Sequence, residues 1–415
     1  MKYKLVNKDI KKDYVYELLK SRGVENIQKF LNPSEDSLQS FEDLFNINIG
    51  VDFFISNIDK NKPLAVIVDC DVDGFTSASI IYLYIKKLNP EQQIDYYIHN
   101  GKQHGLEDMW EKLQDKNYSL IIIPDAASND SEYASKISTP ILVLDHHIVE
   151  GEITAKNMVV INNQLSPKYR NKNLSGAGMA YQFCRALDKA LCVNYADDFI
   201  DLAAVGVIGD MMSGLEVENQ FLWKKGLSSI NNFFLKTLID KQSYSMGGKI
   251  NLISIAFYIV PLINAMIRVG TQEEKERMFI AFIDGERQIP CNKRGAKGTF
   301  ERAAIESARE CTNAKAKQTR ILDTAEGQIE IKIYKYDLLE NKILLIRLEE
   351  DDIFPPELNG LLAMKLSSRY KKPTIVARKC PDGINKGSMR GLNQSELHSF
   401  KEFLEKSKLF TLVAG

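Results

Sequence analysis

The chain has 415 residues, of which 44% are hydrophobic, and this length is sufficient for two domains that each bury their own core. Its 54 Lys and Arg nearly balance its 55 Asp and Glu, so the net charge of -1 neither favours nor excludes a nucleic-acid partner, and any basic surface must be local. The six cysteines form no CxxC pair, which indicates free thiols in a reducing compartment rather than a disulfide framework.

The amino terminus and the hydropathy of the chain predict a cytoplasmic protein without a membrane partner. Residues 1–8 lack the apolar core of a signal peptide, and no uninterrupted apolar run is long enough to span a bilayer. Residues 1–46 are expected to form a helical segment, because Tyr14, Leu18 and Leu19 fall at helical spacing and Gly23 is suited to a C-cap.

From residue 50 onward, short apolar runs alternate with segments of helical periodicity. The predicted strands are Leu64–Val68 and residues 93–98, 120–123, 141–144 and 158–161. This alternation predicts an α/β fold with a doubly wound, mainly parallel sheet. The first crossover helix is expected over residues 76–88, and further helices over residues 179–191 and 199–207.

The remaining chain divides into a helical stretch and a second region with strands. Residues 215–308 are mainly helical by pattern, whereas strands are expected at 328–334, 342–348 and 374–377, with a helix over 358–370. The predicted organisation is a helical segment 1–46, a catalytic domain 47–214, a helical connector 215–310 and a smaller α/β domain 311–415.

Three carboxylates follow the first predicted strand at alternate positions: Asp69, Asp71 and Asp73, with Gly74 next. On an extended segment, side chains two apart point the same way, so these acids would crowd the carboxyl end of the strand, where open α/β sheets bind ligands. Like charges so placed repel unless cations lie among them. A polar turn explains one or two such acids but three less well, so we predict a metal site.

Three further places put an acid at the end of an apolar element. Asp125 follows residues 120–123, Asp145 follows 141–144 and precedes His146 and His147, and Asp210 ends an apolar helix. Each alone is a weak signal, because Asp often ends strands and caps helices. A parallel sheet would bring the strand ends together. Adjacent histidines diverge on an extended segment, so we expect one ligand and one residue facing substrate; a structural hydrogen-bonded pair is the alternative.

Carboxylate and imidazole ligands without thiolates suit Mn²⁺ or Mg²⁺ better than structural zinc. Five candidate ligands can hold two ions about 3.5–4 Å apart, the separation used for phosphoryl hydrolysis. One shared carboxylate would bridge them, and the water between them would become a hydroxide that attacks phosphorus. His104, in a loop after the second strand, is expected at the rim of this site.

These motifs, in this order, resemble those of the DHH phosphoesterase superfamily, and within it the RecJ-like exonucleases specific for single-stranded DNA. The Asp-Val-Asp-Gly stretch at 71–74 with its preceding acid, then Asp125, then Asp145-His146-His147, then Gly209-Asp210 carry the resemblance. Residues 18–23 and 30–33, residues 262–265 with Arg268, and residues 357–363 and 386–390 support the narrower match. The last of these imply that residues 311–415 form the DHH-associated, substrate-binding domain.

The resemblance implies a role for each candidate residue. The metal ligands would be Asp69, Asp71, Asp125, His146 and Asp210; the catalytic residues Asp125 and His147; the supporting residues Asp73 and Asp145; and the substrate contacts His104, Asn264, Arg268, Gly387, Ser388 and Arg390. Asp125 would bridge the ions, and Asp73 would support the ligands or the N-terminus of the following helix. Arg390 would clamp a nucleotide phosphate across an interdomain cleft. A structural salt bridge is an equal alternative for Arg268.

Two departures from the family pattern are visible. Ile67 stands where some members have a histidine, so the first ion is expected to have fewer protein ligands, with water filling the gap. Because the sequence ends at Gly415, soon after the second predicted domain, we expect no OB-fold module of the kind that some members use to grip single strands. We therefore expect a partner, such as a single-strand-binding protein or a helicase, to supply that grip.

The predicted function is a two-metal-dependent exonuclease that hydrolyses single-stranded DNA to mononucleotides from the 5′ end in DNA repair or recombination. One alternative is hydrolysis of oligoribonucleotides or cyclic dinucleotides by the same chemistry. Another is a non-catalytic scaffold that holds DNA or a replication partner, which the presence of all the principal acids and both histidines disfavours. The implied cofactors are two Mn²⁺ or Mg²⁺ ions, and the implied partner is single-stranded nucleic acid, with DNA favoured.

Overall fold

The computed structural model describes residues 13–59, 61–99, 104–296, 298–349, 354–380, 383–392, 399–411 and 413. Its larger sheet has five strands: β1 Leu64–Val68, β2 Ile94–Ile98, β3 Leu120–Pro124, β4 Ile141–Asp145 and β5 Met158–Asn162. All neighbouring strands are parallel, in the order β2-β1-β3-β4-β5. The predicted doubly wound parallel sheet is confirmed, with each strand within one residue of its predicted bounds.

Sixteen α-helices lie in the described residues. They are α1 Tyr14–Ser21, α2 Ile27–Leu31, α3 Ile47–Asn57, α4 Val72–Leu88, α5 Trp110–Leu113, α6 Ser131–Ala134, α7 Gly176–Leu191, α8 Ile200–Gly209, α9 Val217–Ser228, α10 Phe233–Gln242, α11 Leu252–Ser254, α12 Val260–Val269, α13 Gln272–Ile283, α14 Ala303–Lys335, α15 Asn359–Tyr370 and α16 Phe400–Ser407. A π-helical turn, Ile255–Ile259, joins α11 to α12. The predicted amino-terminal segment is thus helical from residue 14, and residues 1–12 lie outside the described residues.

Two smaller sheets complete the fold. A hairpin pairs β6 Gln288–Pro290 with β7 Phe300–Arg302, within the stretch predicted to be mainly helical. The third sheet has the order β10-β9-β8, formed by Asn385–Arg390, Thr374–Lys379 and Leu344–Leu348; β8 is parallel to β9, and β10 is antiparallel to it. With α15, this sheet confirms the predicted smaller α/β region.

The strand order of the large sheet decides where a ligand can bind. The chain runs from β1 outward to β2 on one side and from β3 to β5 on the other, so the direction of winding changes between β1 and β3. In open sheets of this order, the crevice outside the carboxyl ends of those two strands is the usual ligand site. The strands β1, β3 and β4 are buried throughout, so their charged side chains occur only at or beyond their ends.

Both faces of the sheet are covered by apolar packing. One face packs Ile67, Ile123 and Val143 against Leu106 and other apolar side chains of the segments that precede and follow β3. On the helical side, α4, α7 and α8 pack against one another. The sheet is therefore rigid where its strands end, which suits a site that must hold side chains in fixed positions.

The start of α4 corrects the prediction of a helix over residues 76–88. The helix begins at Val72, and the Asp71 side chain caps it by accepting a hydrogen bond of 2.8 Å from the N–H of Gly74. Because β1 ends at Val68, the acids at 69, 71 and 73 do not share the face of an extended strand. Asp73 instead lies in the first helical turn, so the alternation that predicted three acids in register was wrong in its geometry.

The predicted strand at 328–334 is also wrong, because this stretch belongs to α14. Alternating isoleucines and charged residues have the period of a strand and a β-branched composition typical of one. In the helix, Ile329 and Ile333 lie four residues apart and are buried, whereas Ile331 between them is 69% exposed. The helix buries only the isoleucines on one of its faces, and these tertiary contacts override the local preference of the sequence for a strand.

The chain divides into two compact units, one comprising residues 1–267 and 271–311 and the other residues 268–270 and 312–415. The four-part division predicted from the sequence stays a prediction. In the described chain one helical stretch, Leu252–Val269, is long and apolar enough to cross a bilayer by length and composition, and half of it is buried inside the protein. Core helices of soluble proteins have the same properties, so this stretch is weak evidence for a membrane span.

Candidate metal centre

The first acids lie in the loop between β1 and α4. Asp69 directly follows the strand and is 2% exposed, while Asp71 is half-buried at the N-cap of α4. One carboxylate oxygen from each of Asp69, Asp71 and Asp125 lies within 4.8 Å of the others. The predicted convergence of acids from β1 and β3 therefore occurs at the point where the winding of the sheet reverses.

Asp125 is the most constrained of these acids. It follows β3 with φ +70°, a left-handed conformation that costs a non-glycine residue roughly 1–2 kcal/mol, and it is 1% exposed. Its N–H donates to the carbonyl of Leu144 on β4 at 2.8 Å. The first residue of α7, Gly176, lies so close that a Cβ there would be 2.6 Å from Cγ of Asp125. Strain of this kind is concentrated at functional sites.

The end of β4 presents the acid and two histidines as one hydrogen-bonded turn. Asp145 Oδ1 accepts from the backbone N–H of His146 at 2.7 Å and bonds Nδ1 of His147 at 2.8 Å. The two histidines differ in exposure: His146 is 8% exposed, whereas the His147 side chain is 54% exposed. The buried His146 ring lies beside the acids, and the centroid of the more exposed His147 ring is 4.4 Å from its own. Their division into one metal ligand and one residue that faces substrate stays a prediction.

His146 connects the acids of several elements. Its Nε2 lies 3.1 Å from Oδ1 of Asp125, 3.6 Å from Oδ2 of Asp210 and 3.9 Å from Oδ2 of Asp73. Ligand atoms of Asp73, His146 and Asp210 lie within 4.8 Å of one another and form a second group beside that of Asp69, Asp71 and Asp125. The two groups adjoin through the pair Asp125–His146.

The donor atoms present fit one or two divalent ions. Oδ1 of Asp125 and Oδ2 of Asp210 are buried without a hydrogen-bond partner within the described chain, which is a costly state for a carboxylate that lacks a cation. Adjacent ligands of an octahedral ion with bonds of about 2.1 Å stand about 3 Å apart, close to the 3.1 Å between Asp125 and His146. Oxygen and imidazole donors without thiolates are the ligands preferred by Mn²⁺ and Mg²⁺.

Burial and mutual repulsion raise the pKa of each candidate ligand acid. Burial is the main cause for Asp69, Asp71 and Asp125, and neighbouring carboxylates add to the shift. For Asp210, burial and then the charge of Asp73 raise the pKa to about 8. Burial lowers the pKa of His146, which favours the neutral ring that a metal ligand needs. Acids crowded together in such surroundings are stabilised as carboxylates by cations or by hydrogen-bond donors.

His147 and Asp145 form a charged pair. The hydrogen bond to Asp145 is the main cause that raises the pKa of His147 to about 9. Burial alone would raise the pKa of Asp145, but the hydrogen bond and charge of His147 hold it well below its usual value. The Asp145 carboxylate also accepts from the N–H of Ser128 at 3.1 Å. These contacts fix the orientation of the His147 ring.

The Asp73 carboxylate binds the amino terminus of α7, a helix that is distant from it in sequence. Its carboxylate accepts from Ser175 Oγ at 2.8 Å, from the N–H of Gly176 at 2.6 Å and from the N–H of Ala177 at 3.0 Å. It therefore holds the start of α7, where a negative charge is stabilised by the helix dipole. One predicted role for Asp73 is to support the N-terminus of the helix that follows it in sequence. The helix it supports is instead α7, and Asp73 itself lies within α4.

The predicted substrate contacts lie in different parts of the chain. His104 hydrogen-bonds Asp69 directly, with Nδ1 2.8 Å from Oδ2. Asn264 and Arg268 are half-buried on α12. In the second unit, Gly387, Ser388 and Arg390 lie on β10. Their contact with substrate stays a prediction.

On β10 the predicted phosphate clamp has a local partner that the sequence did not indicate. A Cβ placed on Gly360, near the start of α15, would lie 3.0 Å from Nη2 of Arg390 and 3.7 Å from Oγ of Ser388. A guanidinium and a hydroxyl thus lie together beside Gly360 in the second unit, and both are donors suited to phosphate oxygens. Gly387 itself is packed so closely on β9 that a Cβ would lie 2.7 Å from Cα of Ala377.

The sequence analysis did not identify the polar residues that bind the backbone of the histidine turn, residues 145–147. Asn162 Nδ2 donates to Ser128 Oγ at 2.9 Å and to the carbonyl of His147 at 3.0 Å, and Gln164 Nε2 donates to the carbonyl of His146 at 3.0 Å. The signal was available, because Asn162, Asn163 and Gln164 end the fifth strand at the same edge of the sheet as the acids. Amides bind backbone carbonyls rather than cations in this position, so a search for charged ligands passes over them.

The fold and the site together define a phosphoesterase of the DHH type, in which acids and histidines gather at the switch point of a parallel sheet. The model of the DHH family, N-terminal domain, matches residues 63–207. The SPbeta prophage-derived YorK of Bacillus subtilis, assigned as a single-strand DNA-specific exonuclease, is 40% identical over 100% of this chain and 72% of YorK. The chain belongs to the DHH family, among its RecJ-like exonucleases, a class of hydrolases that act on phosphodiester bonds.

More distant relatives agree with this assignment. RecJ of B. subtilis, a single-stranded-DNA-specific exonuclease, is 25% identical over 91% of this chain and 46% of its own length. The crystal structure of RecJ from Thermus thermophilus in complex with Mn²⁺ has a TM-score of 0.69 at 21% identity and covers 91% of this chain and 51% of that one. The same protein with Mg²⁺ has a TM-score of 0.60. These structures confirm the fold.

Proposed function

We propose that this chain is a two-metal-dependent exonuclease that hydrolyses single-stranded DNA to mononucleotides from the 5′ end, with Mn²⁺ or Mg²⁺ as cofactor. One observation carries the proposal: the ligand group of Asp69, Asp71 and Asp125 adjoins the ligand group of Asp73, His146 and Asp210 through the 3.1 Å pair Asp125–His146. Asp125 also lies in one ligand group with His146, and two ions beside one carboxylate are an arrangement used for phosphodiester hydrolysis.

Each acid and histidine has a distinct part in this proposal. Asp69 and Asp71 would hold one ion, His146 and Asp210 the other, and Asp125 would contact both. When bound, the ions supply a hydroxide near neutral pH and balance the charge on the phosphate oxygens. The backbone of Asp125, tied to β4, keeps the shared carboxylate in place.

His147 would contact the scissile phosphate. Asp145 holds its Nδ1, so the opposite edge of the half-exposed ring is left to contact a phosphate oxygen. Asp145 acts through His147 and is a positioning residue. In the second unit, Arg390 and Ser388 beside Gly360 would bind a phosphate of the strand.

The names of the relatives bear on the substrate and on the cellular role of this chain. YorK and the RecJ enzymes are named for action on single-stranded DNA, which favours DNA over RNA as the substrate. We propose a cytoplasmic role in DNA repair or recombination, with a single-strand-binding protein or a helicase as partner.

The test is product analysis on three substrates with Mn²⁺: single-stranded DNA labelled at its 5′ end, a short oligoribonucleotide and a cyclic dinucleotide. Wild type is expected to release labelled mononucleotide from the DNA alone. Asp125→Asn keeps the shape of the side chain but removes its charge, and it should lower the rate by at least about 10²-fold. Asp52→Asn, an exposed position on α3, is the matched control.

Two results would overturn the proposal. Preference for the short oligoribonucleotide or the cyclic dinucleotide would assign the site to small-nucleotide hydrolysis. Equal rates for wild type and Asp125→Asn on every substrate would favour the non-catalytic scaffold.

A further inference from the structure

A short turn brings a histidine side chain directly onto the first acid of the site. Nδ1 of His104 lies 2.8 Å from Oδ2 and 3.0 Å from Oδ1 of Asp69. Asp69 is almost fully buried, whereas the His104 side chain is 58% exposed. The imidazole therefore links the buried carboxylate to the accessible side of the site.

The turn that carries His104 is fixed from its other side. Gly105 has φ +67°, and a Cβ there would overlap the carboxylate of Asp130, so the turn approaches this side chain as closely as glycine allows. Oδ2 of Asp130 accepts from the N–H of Leu106 at 2.6 Å, and the Leu106 side chain is fully buried in the core. A side chain on an anchored turn of this kind is held in position, as a ligand must be.

The spacing of His104 and Asp69 is that of two ligands of one ion. Adjacent ligands of an octahedral ion stand about 3 Å apart, and Nδ1 of His104 lies 2.8 and 3.0 Å from the two carboxylate oxygens of Asp69. Asp69 also belongs to the ligand group with Asp71 and Asp125, whose oxygens lie within 4.8 Å of one another. His104 itself belongs to a group with Asp69 and Cys70, which shares Asp69 with the carboxylate group. His104 therefore adds a nitrogen donor at the edge of the carboxylate group.

We propose that His104 is a ligand of the ion held by Asp69, Asp71 and Asp125. The inference deepens the proposed function and rests on it. In this arrangement each of the two ions receives one imidazole, from His104 on one side and from His146 on the other. An imidazole nitrogen suits Mn²⁺ better than Mg²⁺, which prefers oxygen donors. His104 thereby makes this position selective for Mn²⁺.

The competing role for His104 is that of a positioning residue that donates a hydrogen bond to Asp69 and never reaches the ion. Both roles predict a loss of activity on removal of the ring, so activity cannot separate them. Direct detection of the nitrogen can, because electron spin echo envelope modulation of Mn²⁺ records imidazole nitrogens bound to the ion.

The experiment uses the full chain loaded with Mn²⁺, comparing wild type with His104→Ala and His104→Gln. Glu107→Gln, an exposed position three residues further on, is the matched control for a change in the same loop. Thermal unfolding in EDTA verifies that each variant folds, and the glutamine variant keeps the measurement informative if the alanine variant does not. Isothermal titration with Mn²⁺ and with Mg²⁺ gives the affinity of each variant.

Wild type is expected to show directly bound imidazole nitrogens, of which both His104 variants lose one while Glu107→Gln keeps all. Mn²⁺ affinity at one of the two positions should fall at least about 10-fold in His104→Ala, with a smaller change for Mg²⁺. Unchanged imidazole coupling in both variants would overturn the ligand role, even if affinity fell, and would assign His104 to positioning.

Failure of the proposed function gives a different result. If wild type binds two Mn²⁺ ions with the His104 nitrogen detected but does not cleave single-stranded DNA, the ligand assignment stands and the exonuclease proposal falls. If wild type cleaves DNA and the His104 variants retain the coupling, only the ligand assignment falls.

Discussion

Replacing Gly176 by alanine is expected to disable the site without altering any residue that would bind an ion. Gly176 is the first residue of α7, and its N–H donates to Asp73 at 2.6 Å. A Cβ at this position would lie 2.5 Å from Cβ and 2.6 Å from Cγ of Asp125, whereas ordinary contact begins near 3.4 Å. Either Asp125 or the start of α7 must therefore move by about 1 Å.

Neither partner in this contact can retreat freely. Asp125 is tied to β4 through the carbonyl of Leu144 and has a left-handed backbone, and α7 is tied to Asp73 by three hydrogen bonds. Overpacking of this extent costs roughly 1–3 kcal/mol of stability. Misplacement of a catalytic group by about 1 Å can lower the rate about 10²-fold. We expect both effects in Gly176→Ala.

The assay compares Gly176→Ala with Gly178→Ala, two residues further along the same helix. A Cβ at Gly178 would lie 2.6 Å from Cγ of Leu174, an apolar side chain, so this variant should lose similar stability but keep its rate within about threefold. The measurements are urea unfolding in EDTA, Mn²⁺ affinity by titration, and release of nucleotide from labelled single-stranded DNA per folded molecule.

The reasoning would be refuted if Gly176→Ala retained both wild-type Mn²⁺ affinity and a rate within about threefold of wild type. In that case Asp125 either accommodates the methyl group or does not contact the ions. Equal loss of activity in both glycine variants would point to a general effect on α7 rather than on the carboxylate.

Four further variants test the fold around and beyond the site. Ser175→Ala removes the N-cap of α7 and a hydrogen bond to Asp73, and urea unfolding should show a loss of about 1–2 kcal/mol. Ile333→Ala should cost about 2–4 kcal/mol and Ile331→Ala less than about 0.5 kcal/mol, because the first side chain is buried and the second is exposed; similar values would contradict the helical assignment. Glu326→Gln breaks ion pairs to two basic residues of α15, and its cost of about 0.5–1 kcal/mol should decrease in about 1 M NaCl; a loss independent of salt would exclude a screened ion pair.

The sheet and the place of the site could be predicted because their signals are local. Four of the five strands are short runs rich in aliphatic residues, and acids stand at the end of the fourth strand and directly after the first and third. A parallel sheet brings such strand ends to one edge whatever the detailed geometry, so Asp69, Asp125 and Asp145 could be grouped without coordinates. The predicted neighbourhood of Asp210 depended on the family resemblance, because a helix end has no fixed height relative to a sheet.

Other features depend on contacts distant in sequence and could not be predicted. The partners of Asp73 begin 102 residues later, at Ser175, and no period in the sequence connects them. The contact of His104 with Asp69 depends on the left-handed turn at Gly105 and on its anchor Asp130. The isoleucines of α14 show a second kind of failure. Their spacing in the sequence is that of a strand, but packing of one helical face determines the structure.

Four of the acids of the site fall into two kinds by the contacts of their oxygens, which residue type alone does not reveal. The oxygens of Asp73 and Asp145 are already bound by N–H and O–H donors, and these acids hold α7 and the histidine turn. Asp125 and Asp210 each retain a buried oxygen without a hydrogen-bond partner in the described part of the chain. An acid with bound oxygens contributes to the fold in the absence of a cation. An acid with an open buried oxygen weakens the fold until a cation binds, so these two side chains are where metal binding and stability should be most strongly coupled.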